Sequence, residues 1–163
     1  FFFKQKTAYE IQKLVEYRNI SKWVKISTPS IYKKVIQLEK KGLIKGEVVK
    51  EGKMPEKSVY TLTETGEKEF EKLMLEIAGK PIHLFLDFNA VIVNLDSLSP
   101  KMQKECINKI KENIGILKMY LAQNLQEKEN IPKIPKTGIA VLKQQMVLVN
   151  TIEEWISSLE ETF

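Results

Sequence analysis

The chain has 163 residues, with 26 Lys+Arg against 21 Asp+Glu and a formal charge of +5 when its one His is neutral. That length suits one ordinary domain or two small ones, and 43% hydrophobic with 29% charged residues excludes a disordered tail. One Cys excludes a disulfide framework, one Cys with one His argues against a structural zinc site, and no apolar run reaches the ~20 residues of a membrane-spanning helix.

The chain opens Phe1-Phe2-Phe3-Lys4-Gln5-Lys6 without an initiator Met. An apolar stretch this short, placed before its charges, does not fit a signal peptide. The string FFFKQKTAYE resembles the translation of a short-read sequencing adapter preceded by a run of T. Residues 1–10 are therefore expected to be a non-native segment. Adapter nucleotides absent from codons 1–10 of the source contig would overturn this.

From Ala8 to about Arg18 the spacing predicts an amphipathic helix, with Ile11, Leu14 and Val15 on one face. A second helix follows. Ser27 or Thr28 can cap it, Pro29 takes the first helical position, and Ile31, Val35 and Leu38 face the core. Gly42 ends it. Two β-prone runs, Leu43–Lys50 and Ser58–Leu62, flank a Gly/Pro tip and predict a hairpin. Thr63-Glu64-Thr65-Gly66 opens a helix to about Ala78, with an expected core stripe of Phe70, Leu73, Met74 and Ile77. Gly79-Lys80-Pro81 marks a domain boundary.

Residues 82–98 are apolar nearly all round and predict a helix covered on most sides. Ser99-Pro100 starts a long helix to about Lys128. There Ile107, Ile110, Ile114, Leu117, Leu121 and Asn124 alternate spacings of three and four, a heptad seam with one polar position. Residues 129–137 form a proline-containing connector. A last helix spans about Gly138 to Leu159, with Ile139, Leu142, Met146, Val149, Ile152, Ile156 and Leu159 along one side.

The charge divides along the same line. Residues 1–63 hold 14 Lys+Arg and 6 Glu, a balance of +8, and the remainder carries −3. A basic first part suits a polyanion partner.

Helix, capped helix and two-stranded hairpin is the order of a winged helix. Specific residues carry a closer likeness: Ala8-Tyr9-Glu10-Ile11 opening a helix, Ser30-Ile31-Tyr32, Leu38-Glu39-Lys40-Lys41-Gly42-Leu43-Ile44, and Tyr60-Thr61-Leu62-Thr63-Glu64-Thr65-Gly66 closing the wing. In this order and spacing, over about residues 8–70, the chain resembles the PadR-like transcriptional regulators. The resemblance implies a mostly α fold with a small β-hairpin wing, plus a helical C-terminal dimerisation domain. It divides the chain into 8–79, a winged-helix DNA-binding domain whose first helix is missing or replaced, and 80–163. It implies a cytoplasmic, dimeric repressor. Two departures stand out: the absent first helix, and Glu56 where the wing would carry an Arg.

A major groove about 12 Å wide admits one helix, whose first turn reaches base edges. Thr28, Ser30, Tyr32, Lys33 and Lys34 lie there, and Lys50, Lys53 and Lys57 are the wing's candidates for the backbone or minor groove. A homodimer would read a pseudo-palindrome. Ile107, Ile110, Ile114, Leu117, Leu121, Met146, Val149 and Ile156 are its expected interface, although a lone chain could also bury this seam against its own last helix. Trp23 and Trp155 are candidates for lining a small aromatic effector's pocket, while Cys106 and His83 read as packing or capping. No cofactor, metal site or catalytic constellation is read from the chain. A rival reading from another class is a helical protein-interaction module whose winged helix does not read DNA.

Overall fold

The computed structural model describes residues 5–18, 20, 30–50, 52, 55–132 and 134–159. They divide into two compact units, Phe1–Ile82 and His83–Phe163. Helix dominates, with one two-stranded antiparallel hairpin in the first unit.

The first unit begins with α1 (Ala8–Tyr17). Thr7 caps it: its hydroxyl accepts from the Glu10 N–H, while the Glu10 carboxylate accepts from the Thr7 N–H at 2.7 Å. This reciprocal pair satisfies two end groups that would otherwise lack partners. Next comes α2 (Ile31–Lys40), which buries Ile31 and Val35. The expected caps Ser27 and Thr28, with Pro29, lie outside the described residues. The stop at Gly42 is as expected. Gly42 takes φ +68, its N–H donates to the Glu39 carbonyl, and the Leu43 N–H donates to the Leu38 carbonyl. These two bonds close a Schellman motif, which needs a residue free to adopt positive φ.

Leu43 leads straight into β1 (Ile44–Val49), which pairs in antiparallel register with β2 (Lys57–Leu62), Gly46 opposite Tyr60. Lys6 adds a two-bond bridge to the other side of Tyr60. α3 (Glu64–Ala78) starts at Thr63, whose hydroxyl accepts from the Gly66 N–H and donates to the Gly42 carbonyl at 2.7 Å. A β-carbon on Gly66 would stand 1.9 Å from the Leu43 carbonyl oxygen. Only glycine lets the α3 start sit on the α2 end. The core under α2 is small: Val15, Ile31, Val35 and Ile44, with Ala8, Ile11, Ile20, Leu38, Tyr60 and Leu62 packed around it. An apolar cavity of about 180 Å³ lies among Ile11, Val15, Val35, Leu38 and Leu62.

One expectation fails here. Phe70, Leu73, Met74 and Ile77 of α3 are all exposed. Among the described residues of this unit, no element covers that face of α3 closely enough to bury it.

Residues 82–98, in the second unit from His83 on, do not form the expected single helix. Residues 81–86 run without regular structure, α4 (Asn89–Ile92) lasts one turn, and a 3₁₀ turn spans Leu95–Ser97. The composition explains the break. Asp87, Asn89 and Asn94 are residue types that favour turns over helix interiors, and the Asn94 amide donates to the Ala90 carbonyl. Ile82 is 91% exposed and Phe85 86%, while Leu95 is fully buried.

Two long helices follow. α5 (Pro100–Lys128) is capped by the Ser99 hydroxyl with Pro100 at its first position, and α6 (Lys136–Leu159) starts two residues earlier than its sequence pattern indicated. The ion pairs Lys118–Glu153 and Lys143–Glu129 define them as antiparallel. Between them lies the core of Leu95, Ile107, Ile110, Ile114, Leu121, Val149 and Ile156. Asn124 is the polar seam position. It is buried, donates to the Tyr120 carbonyl and accepts from Lys128.

Candidate nucleic-acid interface

The basic unit presents α2 and the hairpin. Because Ile31 and Val35 are buried and Leu38 is half-buried, the opposite side of α2 faces solvent. Helical spacing puts Tyr32, Lys33, Ile36, Gln37 and Lys40 along that side, and all five are exposed. Tyr32 is 47% exposed and Ile36 50%. A helix about 10–12 Å across, carrying two cations, an amide and a phenol on one stripe, matches the width of the major groove.

The expected residues are placed as follows. Tyr32 and Lys33 lie on the exposed stripe. Lys34 is also exposed, yet it borders the apolar cavity and sits at the edge of the stripe. Ser30 is half-buried at the start of α2, and its side chain makes no cap hydrogen bond. Thr28 lies outside the described residues, as do Lys53 and Trp23. In the wing, Lys50 and Lys57 are exposed beside an exposed Glu56. Lys45 pairs with Glu47 across one strand face, N···O 3.0 Å, which offsets one cation near the wing base. Reading only the first turn missed Gln37 and Lys40. Their spacing of four and seven from Lys33 was the available signal.

The Glu10 carboxyl is held below the ordinary carboxylate value, first by the Thr7 N–H, then by the Thr7 hydroxyl, with Lys6 and Lys57 as lesser contributors. This acid is tied to the α1 cap and not to α2.

The eight residues expected at a dimer interface are placed as follows. Ile107, Ile110, Ile114, Leu121, Val149 and Ile156 are buried inside the chain's own α5–α6 pair, and Met146 packs against that core. Leu117 is 48% exposed. The antiparallel return of α6 covers most of the seam, so six of the eight residues are not free surface. The exposed apolar residues of these helices instead include Met102, Ile116, Leu117, Met119, Val147 and Leu148. Trp155 is half-exposed and stacks against Phe88, ring centroids 6.2 Å apart. Cys106 is a half-buried free thiol beside the core. Among the described residues there is no group of His, Cys, Asp and Glu able to hold a metal, and no helix long and apolar enough to cross a membrane.

The sequence model of the Transcriptional regulator PadR-like family matches residues 3–72. No curated protein matches the chain. The solved structure of Bacillus subtilis PadR in complex with operator DNA is 19% identical, with a TM-score of 0.78, covering 98% of this chain and 91% of that one. Bacillus subtilis PadR in complex with p-coumaric acid is 16% identical, TM-score 0.77, covering 95% of this chain and 85% of that one. The Vibrio cholerae virulence activator AphA is 15% identical, TM-score 0.66, covering 96% and 88%. At these identities the likeness is one of fold.

Proposed function

Taking residues 3–72 as a PadR-like domain, we propose that this chain is a DNA-binding transcriptional regulator. It acts as a homodimeric repressor that reads a pseudo-palindromic operator. α2 enters the major groove, and the wing lies on the backbone or in the minor groove. The observation that carries the reading is the solvent stripe of α2, where Tyr32, Lys33, Gln37 and Lys40 are exposed together over a buried Ile31 and Val35. The +8 balance of residues 1–63 supports a polyanion partner.

The dimer surface in this reading is the exposed apolar set on α5 and α6, including Leu117, because a symmetric pair presents two recognition helices to two half-sites. The half-exposed Trp155–Phe88 stack would offer one wall to a small aromatic effector, the class of ligand that Bacillus subtilis PadR holds as p-coumaric acid.

Fluorescence anisotropy with duplex DNA tests the reading. Binding should weaken steeply with salt, log Kd changing with log[salt] at a slope of about 0.9 per phosphate contacted. Replacing Lys33 and Lys40 together by Ala should weaken binding at least tenfold and lower that slope by about 2. No binding at 50 mM salt, or unchanged affinity in the double variant, would favour a protein-interaction module.

A further inference from the structure

The structure assigns Glu39 a positioning role: its carboxylate ties the recognition helix to the base of the wing. The inference rests on the DNA-binding reading above. Two residues here are each poorly suited to their own element. Glu39 lies in the last turn of α2, where the helix dipole disfavours an anion. Gly46 lies inside strand β1, where a missing side chain weakens a strand and marks a close approach. The two meet. The Gly46 N–H donates to Glu39 Oε1 at 3.0 Å. A β-carbon on Gly46 would stand 2.4 Å from that same oxygen and 2.9 Å from the Tyr60 ring. Each local misfit is therefore answered by the other, a pattern in which a local rule is broken for a longer-range requirement.

The contact also spans the joint that matters. The main chain passes from α2 to β1 through Lys41, Gly42 and Leu43 alone. The Glu39 backbone carbonyl closes the Schellman bond to Gly42, and its side chain crosses over to β1. Two-stranded hairpins are marginal by themselves, so the wing's direction depends on what holds its base. With the base held, Lys50 and Lys57 keep a constant offset from the α2 stripe. Helix and wing can then engage one duplex without a separate ordering cost at binding.

The test uses Glu39→Ala and Glu39→Gln in the full chain, with circular dichroism to confirm folding. Glutamine keeps an acceptor oxygen and loses the charge; alanine loses both. Glu39→Ala should bind duplex DNA about tenfold more weakly, with a salt slope lowered by about 2 as two wing contacts are lost. Its Gly46 amide should exchange at least tenfold faster. Glu39→Gln should restore the slope and the exchange rate, and should bind at least as tightly as the wild type because an anion near phosphate is gone. An unchanged slope and an unchanged Gly46 exchange rate in Glu39→Ala would overturn the positioning role. Equal defects in both variants would also overturn it, since they would assign the effect to charge. If the wild type binds no DNA, the functional reading fails, while the Gly46 exchange rates still decide whether Glu39 holds the wing base.

Discussion

The two units hold their shape by different physical means. In Phe1–Ile82 a small apolar core leaves a cavity of about 180 Å³, and the geometry is set by directional contacts. These are the Thr7–Glu10 box, the Schellman end at Gly42, the Thr63 hydroxyl bridging Gly66 and Gly42, and Glu39 on Gly46. In His83–Phe163 the order comes from area, six buried apolar residues along two long antiparallel helices with Leu95 packed among them. A directional contact fixes an angle, while an apolar seam fixes only a distance and a face. A unit that must present a helix and a wing at a set angle needs the first kind. A pair of helices that need only stay closed can use the second.

The largest effect should come from the seam. Leu121→Ala removes a fully buried side chain from between α5 and α6 and should cost about 3–4 kcal/mol. Urea titration followed by hydrogen exchange checks it. The loss should appear in amides of α5 and α6, with those of α2 and β1 unmoved. Uniform acceleration across both units would erase the distinction drawn here.

Gly66→Ala probes the directional unit. The new β-carbon would meet the Leu43 carbonyl oxygen at 1.9 Å, so α3 must shift off the end of α2, at a cost of about 2–3 kcal/mol. The expected signature is lost protection at Thr63 and Gly66 together with weakened DNA binding. A stable variant with native affinity would mean that the α2–α3 joint does not set the angle of the recognition helix.

How much was legible in the sequence follows the same division. The end of α2 at Gly42, the hairpin and the start of α3 could be read because capping residues and glycines act within three or four positions. The Ser99-Pro100 start of α5 and its seam could be read for the same reason and from a long regular period. Residues 82–98 could not. Hydrophobicity there is high but aperiodic, and Asp87, Asn89 and Asn94 are types that favour turns over helix interiors. The α3 stripe has correct helical spacing, yet spacing specifies a face and not a neighbour; Phe70 and Ile77 lie exposed. The expected dimer residues, six of them buried within the chain's own α5–α6 pair, show a related limit. A heptad pattern is the same whether a second chain or the chain's own α6 covers it. At the candidate interface, the cap logic drew attention to the first turn of α2, whereas the three-and-four spacing extends the stripe to Gln37 and Lys40. Gly46 inside a strand was a readable sign of close approach, but its partner Glu39 is seven residues away and needed the fold.

The smallest effect should come from the cap of α1, and it carries a pH dependence. Thr7→Val removes the hydroxyl that accepts from the Glu10 N–H and donates to the Glu10 carboxylate, and it should cost about 1 kcal/mol at neutral pH. The two halves of that contact respond differently to acid. The N–H to hydroxyl bond persists at every pH, but the carboxylate half needs an ionised Glu10. Because the Thr7 N–H and hydroxyl hold the folded-state value below the ordinary one, the carboxylate's contribution is fully present above the ordinary carboxylate value. It is lost as pH falls through the lowered one. The stability gap between wild type and Thr7→Val should therefore narrow on acidification without closing. The Glu10 titration midpoint, followed by NMR, should rise only part of the way in the variant, since the Thr7 backbone N–H remains as the larger donor. A gap independent of pH would mean that the hydroxyl's bond to the carboxylate adds nothing, while the Thr7 N–H bond to Glu10 is common to both proteins.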